Sequence, residues 1–114
     1  MSDLVELALF TDDVAAVSAF YRSLVGSAPI AEWPGGALFV AGNAKILVHE
    51  RVAETTGGPP NEDHFALAVP DADRACRTLR AEGYELLLEP RDYEWGRSAY
   101  LRDPDGRLVE LAEG

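Results

Sequence analysis

Three side chains able to bind divalent cations interrupt strands that are otherwise apolar. Val5–Phe10, Phe65–Val69 and Leu108–Leu111 are short runs rich in strand-forming residues. Because successive strand residues point to opposite faces, Val5, Leu7 and Leu9 oppose Leu4, Glu6, Ala8 and Phe10. Phe65, Leu67 and Val69 likewise oppose His64, Ala66 and Ala68, and Val109 and Leu111 oppose Leu108, Glu110 and Ala112. The bulky sets are what helices need to pack against. Each of the other sets carries one metal-competent residue with alanine beside it: Glu6, His64 and Glu110. Taken singly, each is a polar residue on a solvated strand face or a hydrogen-bonded histidine. Together they form a concave, roomy face whose two carboxylates and imidazole would be costly to bury without a compensating cation. Such donors suit hard or borderline divalent ions, namely Mn²⁺, Fe²⁺, Mg²⁺, Ni²⁺ or Zn²⁺. A carboxylate of the set is also a candidate general base, Glu6 or Glu110, and the sequence does not choose between them.

The elements that position these residues recur. Moving the chain by 58 residues lays Glu6–Arg22 on His64–Arg80, matching Ala8 with Ala66, Leu9 with Leu67, Asp13 with Asp71 and Arg22 with Arg80. Each half reads strand, acidic cap, amphipathic helix, glycine, then short strands separated by turns. Asp12 or Asp13 caps the first helix, which is expected to bury Val14, Val17, Phe20, Tyr21 and Leu24 and to stop at Gly26. Asp71 caps the second, expected to bury Ala72, Ala75, Cys76 and Leu79 and to stop at Gly83. Further strands are predicted near Ile30–Trp33, Ala37–Val40, Lys45–His49, Tyr84–Glu89 and Ser98–Arg102, with turns at Gly42-Asn43 and Asp103–Gly106. The TTGGPP stretch, Thr55–Pro60, has linker chemistry. The reading is therefore an α+β chain of two βαβββ modules on a curved mixed sheet, with module one at 1–52, a linker at 53–60 and module two at 61–114.

Composition narrows the function. The 114 residues suit one domain of ordinary size, and no apolar run reaches the roughly 18 residues of a membrane span. Ten basic against twenty acidic side chains give a formal charge of −10, which argues against nucleic acid as a partner. It suits cationic ligands or metal ions. The opening MSDLVELALF lacks a basic segment and is not read as a secretory signal. A lone cysteine, Cys76, excludes an internal disulfide and reads as a small core residue. A reducing cytoplasm is the expected compartment.

The twofold βαβββ pattern, AFYRSLVG at Ala19–Gly26 and WGRSAYLRDPDGRLVEL at Trp95–Leu111 resemble the vicinal oxygen chelate superfamily. This superfamily includes glyoxalase I, bleomycin-resistance proteins, fosfomycin-resistance thiol transferases and extradiol dioxygenases. The resemblance covers nearly the whole chain, and its most specific part is the Asp-Pro-Asp-Gly turn leading into a strand with a glutamate. It implies metal ligands at Glu6, His64 and Glu110. The fourth family position falls near Leu47, which cannot bind metal. His49, two residues on, is read as a fourth ligand, a rim hydrogen-bonding group or an exposed residue. The resemblance further implies a homodimer and a Lewis-acid reaction on a small substrate with neighbouring oxygens: a lyase, isomerase or dioxygenase step. Trp33, Phe39, Trp95 and Tyr100 are candidates for an aromatic pocket wall. The competing reading is a metal-free protein of the bleomycin-resistance type, sequestering a cationic drug. His64 together with Glu110 counts against it, since a metal-free binder needs neither at a ligand position.

Overall fold

The structure, a computed structural model, describes residues 3–53 and 57–114. Part of the TTGGPP stretch, residues 55 and 56, lies outside the described residues. In chain order the elements are β1 (Asp3–Thr11), α1 (Val14–Val25), β2 (Ala31–Trp33), β3 (Gly36–Ala41) and β4 (Ala44–Glu50). They continue with β5 (His64–Val69), α2 (Ala72–Ala81), β6 (Leu88–Tyr93), β7 (Gly96–Arg102) and β8 (Leu108–Glu113). The strands make one curved, mixed sheet in the order β2-β3-β4-β1-β5-β8-β7-β6. Within each half the first strand runs parallel to the last, β1 beside β4 and β5 beside β8. The halves join by antiparallel pairing of β1 with β5. The expected α+β architecture is thus present, and the two modules pair edge to edge within the chain.

Both helices begin as the sequence predicts. The Asp13 carboxylate accepts a hydrogen bond from the Ala16 amide, and that of Asp71 accepts one from Arg74. α1 ends at Gly26 with φ 84°, a left-handed conformation that glycine adopts without steric penalty. α1 packs on β3 and β4, where Val14, Val17, Tyr21 and Val25 close over Ala37, Phe39 and Val48. α2 packs on β6, β7 and β8, with Ala72 and Cys76 buried against Val69, Ala99 and Leu111. Cys76 is a core residue, and burial raises its thiol pKa.

Three expectations need correction. Phe20 and Leu24 are 59% and 68% exposed, because α1 covers only two strands and these residues lie on its other apolar stripe. In β1 the pairing register shifts between Leu4 and Glu6, which brings Val5 to the concave side with Glu6, and Leu7 is 40% exposed. The strand expected at Tyr84–Glu89 forms instead at Leu88–Tyr93. Leu86 is taken up by packing under α2, and β6 lies at the sheet edge, where a register irregularity accommodates Pro90.

Candidate metal and substrate site

The concave face of the sheet holds an open cavity of about 900 Å³. Its floor is set by strand register. Lys45, Glu6, Ala66, Glu110 and Tyr100 are successive cross-strand neighbours on β4, β1, β5, β8 and β7. They form one row of side chains on one face, with Ala66 leaving space between the two carboxylates. His64 stands two residues before Ala66 on β5, so it shares that face.

His64 and Glu110 meet, with Nε2 3.2 Å from Oε1 and both side chains less than a tenth exposed. His64 Nδ1 lies 2.9 Å from the Glu62 carbonyl oxygen, an atom that only accepts, so Nδ1 carries a proton. In the neutral ring Nε2 would then face an ionised carboxylate with a lone pair. That contact requires a proton between the two groups or a cation shared by both. Burial pushes the His64 pKa down, but its bonds to Glu110 and the Glu62 carbonyl, with the fields of Glu110 and Glu6, win and raise it. Burial likewise opposes ionisation of Glu110, yet the hydrogen bonds from His64 and Ser98 hold its carboxyl below the ordinary value. Glu6 behaves differently: burial first and then the charge of Glu110 raise its pKa, outweighing His64 and Lys45.

The far oxygen of Glu110 is fixed from behind. Ser98 Oγ donates to Oε2 at 2.7 Å, and the Trp95 indole N–H donates to the same atom at 3.2 Å. Trp95 is held in place by stacking on Tyr93, with ring centroids 4.5 Å apart and planes 2° from parallel. Tyr100 is buried beside Glu110, and burial with the Glu110 charge keeps its phenol protonated. A carbonyl orienting the histidine and two donors orienting the carboxylate are the supports that metal ligands ordinarily receive. The 3.2 Å spacing also suits adjacent donors on one ion, since ligand bonds of roughly 2.1 Å at right angles put donor atoms about 3.0 Å apart. His64 and Glu110 therefore fit a divalent cation.

Glu6 faces the same cavity but stands apart: Glu6, His64 and Glu110 do not all bring donor atoms within 4.8 Å of one another. Among the described residues, the trio that does is Asp71, Asp73 and Glu113. Those carboxylates already serve α2: Asp71 accepts from the Arg74 amide, Glu113 from the Ala72 amide, and Asp73 holds Arg97 at 2.9 Å through both oxygens. His49 lines the cavity with Nδ1 2.7 Å from the Glu50 carbonyl oxygen, and Phe10 packs against both His49 and His64. Leu47 is on the wall as expected. Of the four aromatic candidates, Trp95 and Tyr100 line the cavity. Phe39 and Trp33 do not: Phe39 is buried under α1 and Trp33 borders a smaller hollow beside that helix, both on the other side of the sheet. Sequence reasoning missed the Ser98 and Trp95 bonds to Glu110. It also passed over Lys45, although a lone lysine two residues from Leu47 on one strand was a readable signal.

The model of the family described as Glyoxalase/Bleomycin resistance protein/Dioxygenase superfamily matches residues 3–111. The chain is 34% identical over 108 residues to "Putative glyoxylase CFP32" of Mycobacterium tuberculosis and of Mycobacterium bovis, with 90% of this chain and 41% of those proteins covered. It thus spans about two-fifths of the length of these relatives. "Glutathione transferase FosA" of Serratia marcescens is 27% identical, covering 100% of this chain and 82% of its own. Among solved structures, methylmalonyl-CoA epimerase of Streptomyces coelicolor superposes with a TM-score of 0.76 at 21% identity, covering 100% of this chain and 98% of that one. A hypothetical protein of Bacillus halodurans gives a TM-score of 0.79 at 20% identity, covering 99% and 94%. At such identities these likenesses bear on the fold alone.

Proposed function

The chain belongs to the Glyoxalase/Bleomycin resistance protein/Dioxygenase superfamily, and from that premise we propose that it is a divalent-metal-dependent enzyme. Its substrate is a small molecule with two neighbouring oxygens, and its reaction is a lyase, isomerase or dioxygenase step. The observation that carries this reading is the His64–Glu110 contact, two buried donors 3.2 Å apart, each oriented by hydrogen bonds from behind. His64 and Glu110 would hold the ion, with Glu6, two strands from Glu110 on the same face, as the third donor on side-chain rotation. When bound, a divalent ion supplies Lewis-acid stabilisation of negative charge developing on substrate oxygens. The chain's own groups do the rest. Ser98 and Trp95 keep Glu110 in one orientation, Phe10 and Tyr100 shield the floor from water, and the carboxylate left least engaged accepts a proton. Glu6 suits that last part, because burial raises its proton affinity toward the range a general base needs. The exposed Phe20 and Leu24 on α1 support a second proposal, that the working form is a homodimer.

Calorimetric titration of chelator-treated protein with Mn²⁺ tests the metal reading. Saturable binding that is lost in His64→Ala is expected. A wild-type protein that binds no divalent ion at millimolar concentration, yet binds a cationic glycopeptide, would transfer the argument to the metal-free drug-binding reading.

A further inference from the structure

Lys45 is the only lysine in the chain, and its exposed side chain is part of the cavity lining. Among the described residues no arginine lines that cavity, and Lys45 is its one permanent cation. It is the direct cross-strand neighbour of Glu6, at the opposite end of the Lys45–Glu6–Ala66–Glu110 row from the His64–Glu110 pair. Its ammonium makes no ion pair within 4 Å among the described residues. On a chain with a formal charge of −10, every one of the nine arginines is elsewhere. An exposed, unpaired cation at the side of a cavity otherwise lined largely by apolar residues is a recognition element for an anion.

Charge and distance support this. A divalent ion at the site would balance the charges of Glu6 and Glu110, which leaves the Lys45 charge for the ligand. Three strand spacings separate the Lys45 and Glu110 backbones, about 14 Å along the sheet. Between two side chains that rise from the same face at that spacing, the gap fits one small ring or a short chain. We propose that Lys45 determines specificity, selecting substrates that carry a carboxylate or similar monoanionic group beyond the pair of oxygens presented to His64 and Glu110. This inference rests on the metal-site reading above and adds the charge of the substrate's distal end. The apolar wall of Leu38, Val40 and Leu47 receives the body of the molecule between the two polar ends.

Two probes separate this proposal from the reading beneath it: catechol, and protocatechuate, which adds a ring carboxylate to the same pair of oxygens. Mn²⁺ is titrated first into wild type, Lys45→Met and Lys45→Arg, followed by each probe into the Mn²⁺-loaded proteins. Wild type is expected to bind protocatechuate about fivefold more tightly than catechol, the worth of one partly exposed ion pair. Lys45→Met should lose that preference while retaining Mn²⁺ and catechol, and Lys45→Arg should keep it. Equal preference in wild type and Lys45→Met overturns the inference and leaves the metal reading intact, as does failure of both probes to bind a protein that binds Mn²⁺. Failure of Mn²⁺ itself to bind overturns the metal reading and the inference with it.

Discussion

Replacing Ser98 by alanine removes one hydrogen bond and almost nothing else. Ser98 is 1% exposed, and its hydroxyl donates at 2.7 Å to the Glu110 oxygen that points away from His64. No solvent can take its place, and the longer Trp95 bond at 3.2 Å is the support that remains. A hydrogen bond to a charged group is worth about 1.5–3 kcal/mol, and leaving a buried carboxylate short of a donor costs a similar amount. Two consequences follow: Glu110 becomes easier to protonate, and its near oxygen is no longer held toward His64 Nε2. Loss of such a support typically lowers metal affinity 10- to 100-fold, about 1.4–2.7 kcal/mol, in line with the hydrogen-bond figure. The assay is Mn²⁺ calorimetry beside thermal unfolding of the metal-free protein. Ser98→Ala is expected to raise the Mn²⁺ Kd about 30-fold and to lower Tm by several degrees. Ser18→Ala is the control, because the buried Ser18 hydroxyl has no hydrogen-bond partner; it should leave both quantities unchanged or raise Tm slightly. A Ser98→Ala Kd within threefold of wild type would refute the claim that Glu110 is positioned from behind.

In the metal-free protein, the Glu110 contribution to stability is present above about 4.5 and lost as pH falls through its lowered folded pKa. The His64 contribution is complete below about 6.5 and lost as pH rises through its raised folded pKa, and raised Glu6 also sheds stability as pH climbs from 4.5. Melting curves of chelated protein should therefore peak on the acid side of neutrality, and saturating Mn²⁺ should abolish the alkaline decline; a metal-free maximum near pH 8 contradicts the site electrostatics. Gly36→Ala would put a Cβ 2.5 Å from the Val48 carbonyl oxygen and 2.7 Å from the Trp33 ring, so a loss of about 1–3 kcal/mol is expected in urea unfolding. His49→Ala should leave Mn²⁺ affinity within about threefold of wild type, because the His49 ring packs on Phe10 rather than on the His64–Glu110 pair. A matching drop to that of His64→Ala would restore the fourth-ligand reading. Sedimentation should show a dimer at micromolar concentration that Phe20→Ser weakens; a monomer in wild type removes that proposal.

Much of this was legible in the sequence because it is local. A period-two pattern broken by Glu6, His64 and Glu110 needs only strand geometry to be read as one face, and Asp13, Asp71 and Gly26 announce helix ends through their own backbone chemistry. What failed depended on partners distant in the chain. In β3 both alternating sets are apolar: Ala37 and Phe39 go under α1, while Leu38 and Val40 line the cavity. Periodicity therefore could not say which way Phe39 turns. α1 offers two overlapping apolar stripes, and only contact with β3 and β4 selects Val14, Val17, Tyr21 and Val25 over Phe20 and Leu24.

Register across strands was the least accessible quantity, and it is the one on which the site depends. Nothing near residue 45 announces that this position will lie beside Glu6, since the pairing is made between strands 39 residues apart. The pairing of Glu6 with Ala66 is equally remote in the chain, and a slip of one residue there would turn Glu6 away from His64 and Glu110. The residue types that can do the chemistry are therefore written in each strand separately. Whether they act together is decided by the β1–β4 and β1–β5 pairings, which place a cation, two carboxylates and an imidazole along one concave floor.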